Sequence, residues 1–71
     1  MTYKFTASFV KEGKWYVAHA VELGVTSQGE TLEAAQKNLR EAVELYLEDE
    51  PSAKQALSKE PPLLATLEAQ M

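Results

Sequence analysis

The sequence predicts a small α+β domain. Three antiparallel strands carry one main helix on one face, followed by a short second helix. Two observations carry this expectation. Apolar residues alternate with period two through residues 3–10, and a run rich in aromatic and β-branched residues, 15–21, follows a short turn containing Gly13. The period then changes to that of a helix over residues 32–47.

In the first strand Tyr3, Phe5, Ala7 and Phe9 share one face, and Lys4, Thr6, Ser8 and Val10 the other. Two such runs around a glycine read as a hairpin. Placing Glu12 and Gly13 at the turn centre sets Val10 opposite Trp15, Phe9 opposite Tyr16, Ala7 opposite Ala18 and Phe5 opposite Ala20. One sheet face then holds Phe5, Ala7, Phe9, Tyr16, Ala18 and Ala20, where the alanines leave a shallow groove for a helix. The other holds Thr6, Ser8, Val10, Trp15, Val17, His19 and Val21. That face is too apolar for full solvation and too polar for a core, a composition that suits contact with another chain.

Glu22-Leu23-Gly24 reads as a turn, residues 25–28 as a short third strand, and Gly29 as its end. Thr31 is the expected helix N-cap, since its hydroxyl can accept from a free N–H of the first turn. Ala34 stands where a capping box needs Glu or Gln, but Glu33 still complements the helix dipole. Leu32, Ala35, Leu39, Ala42, Val43 and Tyr46 form the predicted apolar stripe, and Leu45 projects away from it. Glu33 and Lys37 stand four apart in the favourable order, worth about 0.2–0.5 kcal/mol.

Pro51 cannot continue the helix. Glu48-Asp49-Glu50 suits the start of a new helix better than the end of an old one, so a break is expected near Asp49. A second helix is expected over residues 51–58, with Pro61-Pro62 ending it. In residues 63–71, Leu63, Ala65, Leu67, Ala69 and Met71 alternate as in an edge strand, while Leu63, Leu67 and Met71 also match helical spacing. Periodicity leaves both open.

The chain has 71 residues and a formal net charge of −4. That length makes one domain, residues 1–71, with a core region over 3–47 and an extension over 51–71. A domain this small has a thin core and often leans on oligomerisation, so a homodimer or higher oligomer is expected. The acidic balance speaks against non-specific nucleic-acid binding, which needs clustered Lys and Arg. The sequence contains no cysteine, which excludes disulfides, thiolate metal sites and thiol nucleophiles. The N-terminal residues alternate without a continuous apolar run, so neither a signal peptide nor a membrane span is expected, and the reading is cytoplasmic.

No constellation for catalysis emerges. The single histidine, His19, has only Glu22 as a nearby acid, short of a metal set or an acid–base pair; it reads as a strand residue at a surface or interface. The acidic residues lie in loops and on the helix, where charge runs are usually solvated. Gly24 and Gly29 belong to no phosphate loop. Trp15 and Tyr16 have only Lys11 and Lys14 beside them, so cross-strand packing is favoured over base stacking. No enzyme, cofactor or metal is expected.

The order of features carries a resemblance. The hairpin ends in Trp15-Tyr16-Val17-Ala18, and a short loop leads to Gln28-Gly29-Glu30-Thr31-Leu32-Glu33. The helix continues through Ala35, Asn38, Glu41-Ala42 and Leu45-Tyr46-Leu47. Over residues 3–47 this series resembles the HicB-like antitoxin family. The resemblance implies a partial ribonuclease-H-like fold of three antiparallel strands and a packed helix, often with a further edge strand, which tips residues 63–71 towards a C-terminal edge strand. It also implies a role in neutralising a HicA-like toxin, a small basic RNA-cleaving protein. The sequence departs from the pattern at Glu30, where Asp is commoner, at Ala34, where Glu is common, and in the loop 21–24, which lacks the usual prolines. The residues beyond Pro51 offer too few basic groups for a DNA-binding module, so no direct nucleic-acid contact is expected. The candidate partner interface combines Trp15, Val17, His19 and Val21 with Glu22, Glu30 and Glu33. The alternative is an orphan homo-oligomer for scaffolding or small-ligand binding.

Overall fold

The computed structural model describes residues 3–57 and 65–70. Strands β1 (Ala7–Glu12), β2 (Trp15–Ala20) and β3 (Val25–Gly29) form an antiparallel sheet in the order β1-β2-β3. Helix α1 (Leu32–Asp49) packs on one face, and a 3-10 helix, Pro51–Ala56, follows it. The α+β class expected from the sequence is the class found.

The hairpin register differs from the expected one by two residues. Glu12 faces Trp15, Lys11 faces Tyr16, Val10 faces Val17, Phe9 faces Ala18 and Ala7 faces Ala20. The cause lies in the turn. Gly13 has φ +60°, and no other residue type in the described chain has positive φ. Gly13 therefore takes the first central position with Lys14 second, the arrangement of a type II′ turn. A shift of two conserves the faces, because side chains alternate with period two. Only the cross-strand partners change, and β1 begins at Ala7 rather than at residue 3.

Ala18, Ala20, Ala35, Leu39, Val43 and Leu47 form the buried core. Phe5, Ala7, Tyr16, Leu23 and Val25 pack around it. The buried helical positions recur every four residues, so Leu47 closes the stripe and Tyr46 is only half-buried. Leu32 stays 47% exposed, because α1 makes its closest approach to the sheet a turn later. There a Cβ on Gly29 would stand 2.5 Å from the Ala35 backbone nitrogen. Thr31 caps the helix as expected, its Oγ1 accepting from the Ala34 N–H at 3.0 Å.

Glu48 and Asp49 lie inside the last turn of α1 rather than at the start of a new helix. Dipole effects of about 0.3–1 kcal/mol are too small to set the boundary; the proline is decisive. The residue before a proline is pushed out of helical geometry, and Glu50 has φ −129° and ψ 74°. Its N–H still donates to the Tyr46 carbonyl at 2.9 Å. The second helix is of 3-10 type and stops at Ala56; Ser58 and Pro61-Pro62 lie outside the described residues. The edge strand expected at the C-terminus is not formed over residues 65–70, which adopt neither helix nor strand. Alternation alone does not make a strand without a paired neighbour, and Leu67 is 88% exposed. Leu63, Leu64 and Met71 lie outside the described residues.

Candidate functional site: the open face of the sheet

With α1 on one side, the sheet leaves its other side open. The register arranges that side in rows. Val10, Val17 and Gln28 form one row, and Ser8, His19 and Thr26 the next. Trp15 faces Glu12 at the hairpin end. At the opposite end the Val21 N–H donates to the Thr6 carbonyl at 2.9 Å, prolonging the pairing. Trp15, Val17, His19 and Val21 therefore run as one column along the central strand, with Val10 beside it. Thr6, Ser8, Thr26 and Gln28 flank that column. Val10 is 57%, Trp15 44% and Val21 40% exposed; Val17 and His19 are half-buried.

The sheet residues named from the sequence thus converge. The acidic ones do not. Glu22 follows β2, whereas Glu30 follows β3, which ends where β2 begins. At about 3.3 Å per residue this puts Glu22 and Glu30 at opposite ends of the sheet, roughly 20 Å apart. Glu22 is also engaged internally. Its Oε1 accepts from the Thr6 N–H at 2.8 Å and its Oε2 from the Thr6 hydroxyl at 2.9 Å. Partial burial opposes the charged form, but hydrogen bonds from the Thr6 and Glu22 backbones and the Thr6 hydroxyl outweigh it. The carboxyl is held below its ordinary value. Glu30 and Glu33 flank the N-cap and are exposed.

Exposed charge gathers on the outer side of α1. Glu33, Lys37, Glu41, Glu44 and Glu48 all project away from the core stripe, with Leu45, 61% exposed, among them. Between α1 and the N-terminal residues lies an open groove of about 690 Å³, lined by Tyr3, Phe5, Val43, Leu47, Leu57 and charges of both signs. Lys54 Nζ sits 5.4 Å from the Tyr3 ring centre across it. Asn38 has a role that its sequence position does not reveal: its Nδ2 donates to the Gln28 carbonyl on β3 at 2.9 Å. Among the described residues, no group of three or more His, Cys, Asp or Glu is placed to hold a metal ion. No helix among them is long and apolar enough to cross a membrane.

A family model described as a family of unknown function (DUF7387) matches residues 6–61, a span that takes in the sheet, α1 and the 3-10 helix. No curated protein and no solved structure gives a significant match.

Proposed function

The chain belongs to DUF7387, a family of unknown function, and from that premise we propose that it is a non-enzymatic binding protein of the HicB-like antitoxin kind. It neutralises a small, basic, RNA-cleaving toxin of the HicA-like kind in the cytoplasm, by occupying the surface that would receive RNA. The observation that carries this reading is the separation of charge. The outer side of α1 presents Glu33, Glu41, Glu44 and Glu48 against Lys37 and Arg40, and Glu30 extends that acidic surface past the N-cap. Opposed charge of this kind speeds encounter and selects the partner. The β1-β2-β3-α1 order and the residue series from Trp15 to Leu47 support the same reading.

The test is titration of the protein into a basic RNA-cleaving protein encoded beside its own gene, with RNA cleavage as the readout. Stoichiometric inhibition that weakens as salt rises is the expected result. Complete absence of binding at low salt overturns the proposal. A second reading, a homo-oligomer serving scaffolding or small-ligand binding, is favoured by the open sheet face.

A further inference from the structure

The sheet has two edges, and they differ in what they leave unpaired. The Val21 N–H donates to the Thr6 carbonyl, so the backbone groups of Thr6, Ser8, Val10 and Glu12 turn towards β2. Hydrogen-bonded positions alternate along an antiparallel ladder, so those of Phe5, Ala7, Phe9 and Lys11 turn outwards. Among the described residues no strand meets them. By the same alternation Thr26 and Gln28 turn outwards from β3. There the Gln28 carbonyl already accepts from the Asn38 side chain at 2.9 Å, and α1 leans over the edge at Gly29. The helix packs on β3 and β2 and hardly touches β1. The helix-side row of β1 is therefore left partly open, with Phe9 36% exposed.

An edge of free backbone groups is a template for another strand, and β1 carries the pattern to serve as its own partner. We infer that the protein forms a two-fold symmetric dimer by antiparallel pairing of β1 with β1 of a second copy, joining two three-stranded sheets into one. The pairing prolongs β1 back to Lys4, along the line that the bond from Val21 to Thr6 already follows. The outward residues 5, 7, 9 and 11 are centred on Ser8. An axis through Ser8 therefore pairs all of them, Ala7 with Phe9 of the second copy and Phe5 with its Lys11, each pair occurring twice. The same register sets Lys4 opposite Glu12 of the second copy, at a closely spaced position with Cα atoms about 4.5 Å apart. Both residues are exposed, and opposite charges facing across strands stabilise the pairing. Moving the axis one residue, to Phe9, sets Lys4 level with Lys14 and Glu12 opposite Thr6, where the Glu22 carboxylate is held. Charge thus selects a second copy as the occupant and Ser8 as the axis.

The side chains agree with this register. On the helix side each Phe9 lies opposite Ala7 of the second copy and diagonal to its Phe5 and Phe9, within reach of aromatic rings. On the open side Ser8, the smallest residue of that row in β1, takes the axis. Both helices stand on the same side of the joined sheet, and neither covers the paired strands. Lys11 comes to the mouth of the groove beside Phe5 of the second copy, where Arg40 and Lys54 are matched by Glu44 and Glu48. The Glu22 carboxylate stays on the β2 side of Thr6, and the residue set opposite Thr6 is the uncharged Val10. Asn38 and α1 guard the β3 edges, so pairing closes at two copies instead of extending into a filament. The dimer leaves the outer side of α1 free on both copies. The inference does not depend on toxin binding, and either can fail without the other.

Sedimentation equilibrium on the full chain, from about 1 μM to 1 mM, is paired with amide hydrogen exchange at both ends of that range. Expected are a monomer–dimer equilibrium and slow exchange of the Phe5, Ala7, Phe9 and Lys11 amides in the dimer alone, with Thr26 and Gln28 unchanged. Ala7→Pro removes an outward N–H, which an edge strand tolerates in the monomer, and weakens dimerisation by at least about a hundredfold. If that variant fails to fold by circular dichroism, charge exchange decides. Lys4→Glu and Glu12→Lys each weaken the dimer about tenfold at low salt, and the double variant restores it. Glu41→Lys on the outer side of α1 leaves the dimer unchanged. A monomer up to 1 mM overturns the inference, even with the four amides protected, since another part of the chain then covers the edge. So does a dimer in which they exchange freely, one that a folded Ala7→Pro variant forms equally well, or a double charge variant no better than the single ones.

Discussion

The Glu22 carboxylate grips Thr6 at two points, the backbone N–H at 2.8 Å and the hydroxyl at 2.9 Å. Sixteen residues separate the two in sequence. The contact ties the chain entering β1 to the turn between β2 and β3. It also supplies the N–H of Thr6 with an acceptor beside the bond from the Val21 N–H to the Thr6 carbonyl. Because the carboxyl titrates below its ordinary value in the folded state, the charged form is the one folding favours. The sign follows from linkage: the contribution is complete above the ordinary glutamate value, about 4.3. It falls away as the pH drops through that value and past the folded one. Urea midpoints measured from pH 7 to pH 3 are expected to decline on acidification. Glu22→Gln is expected to be less stable at pH 7, and its midpoint to depend less steeply on pH below 5. Parallel curves for the two proteins would remove the role given to this carboxylate.

Gly29 is required by proximity and not by backbone angle. A Cβ there would stand 2.5 Å from the Ala35 nitrogen and 2.8 Å from the Ala34 carbonyl carbon. Both are helix backbone, so relief means moving α1 off the sheet. Gly29→Ala is expected to cost at least about 1–3 kcal/mol, the range for overpacked sites, despite the gain that alanine usually brings to a strand. Gly24→Ala makes a useful contrast, because nothing lies within 4 Å of its added Cβ and only its φ of +70° opposes the change. Thermal unfolding of both variants separates the steric effect from the conformational one.

These two glycines show what a sequence conveys and what it withholds. Alternation in residues 3–21 and the four-residue recurrence of Ala35, Leu39 and Val43 are local, and they fix which faces meet. Thr31 as N-cap is local too, a hydroxyl acting on the next turn. The two-residue register error left the faces intact for the same reason. Non-local distances are different. That Gly29 stands under Ala35, that Glu22 reaches Thr6, and that Asn38 reaches Gln28 depend on how α1 and the loops settle on the sheet. The separation of Glu22 from Glu30 likewise follows from antiparallel pairing and not from their spacing of eight residues. Residues 65–70 make the converse point, since a clean alternation there meets no neighbouring strand.

Asn38 fastens the middle of α1 to the edge strand β3 through its 2.9 Å bond to the Gln28 carbonyl. Asn38→Asp keeps the shape and has a similar helix propensity, but presents an acceptor to an acceptor. A loss of about 0.5–1.5 kcal/mol is expected, the usual net worth of such a bond. Hydrogen exchange should localise it, with faster exchange of β3 amides and little change in β1. Uniform acceleration across the sheet would indicate global destabilisation instead and would count against a local tie.

The end of α1 is set against its own dipole. Glu48 and Asp49 occupy the last turn, Glu50 caps it, and that turn holds no basic residue. The proline, and not charge, fixes where the helix stops, so the unfavourable charges remain as a correctable cost. Asp49 is exposed and belongs neither to the core nor to the open sheet face. Asp49→Lys is therefore expected to stabilise the fold by about 0.3–1 kcal/mol at low ionic strength. At about 4–8 °C per kcal/mol for a domain of this size, thermal unfolding resolves the upper part of that range. Debye screening should shrink the gain in 1 M salt, where the screening length falls to about 3 Å. A variant no more stable than the parent at low salt would mean that residues 48–50 are already compensated by some other group.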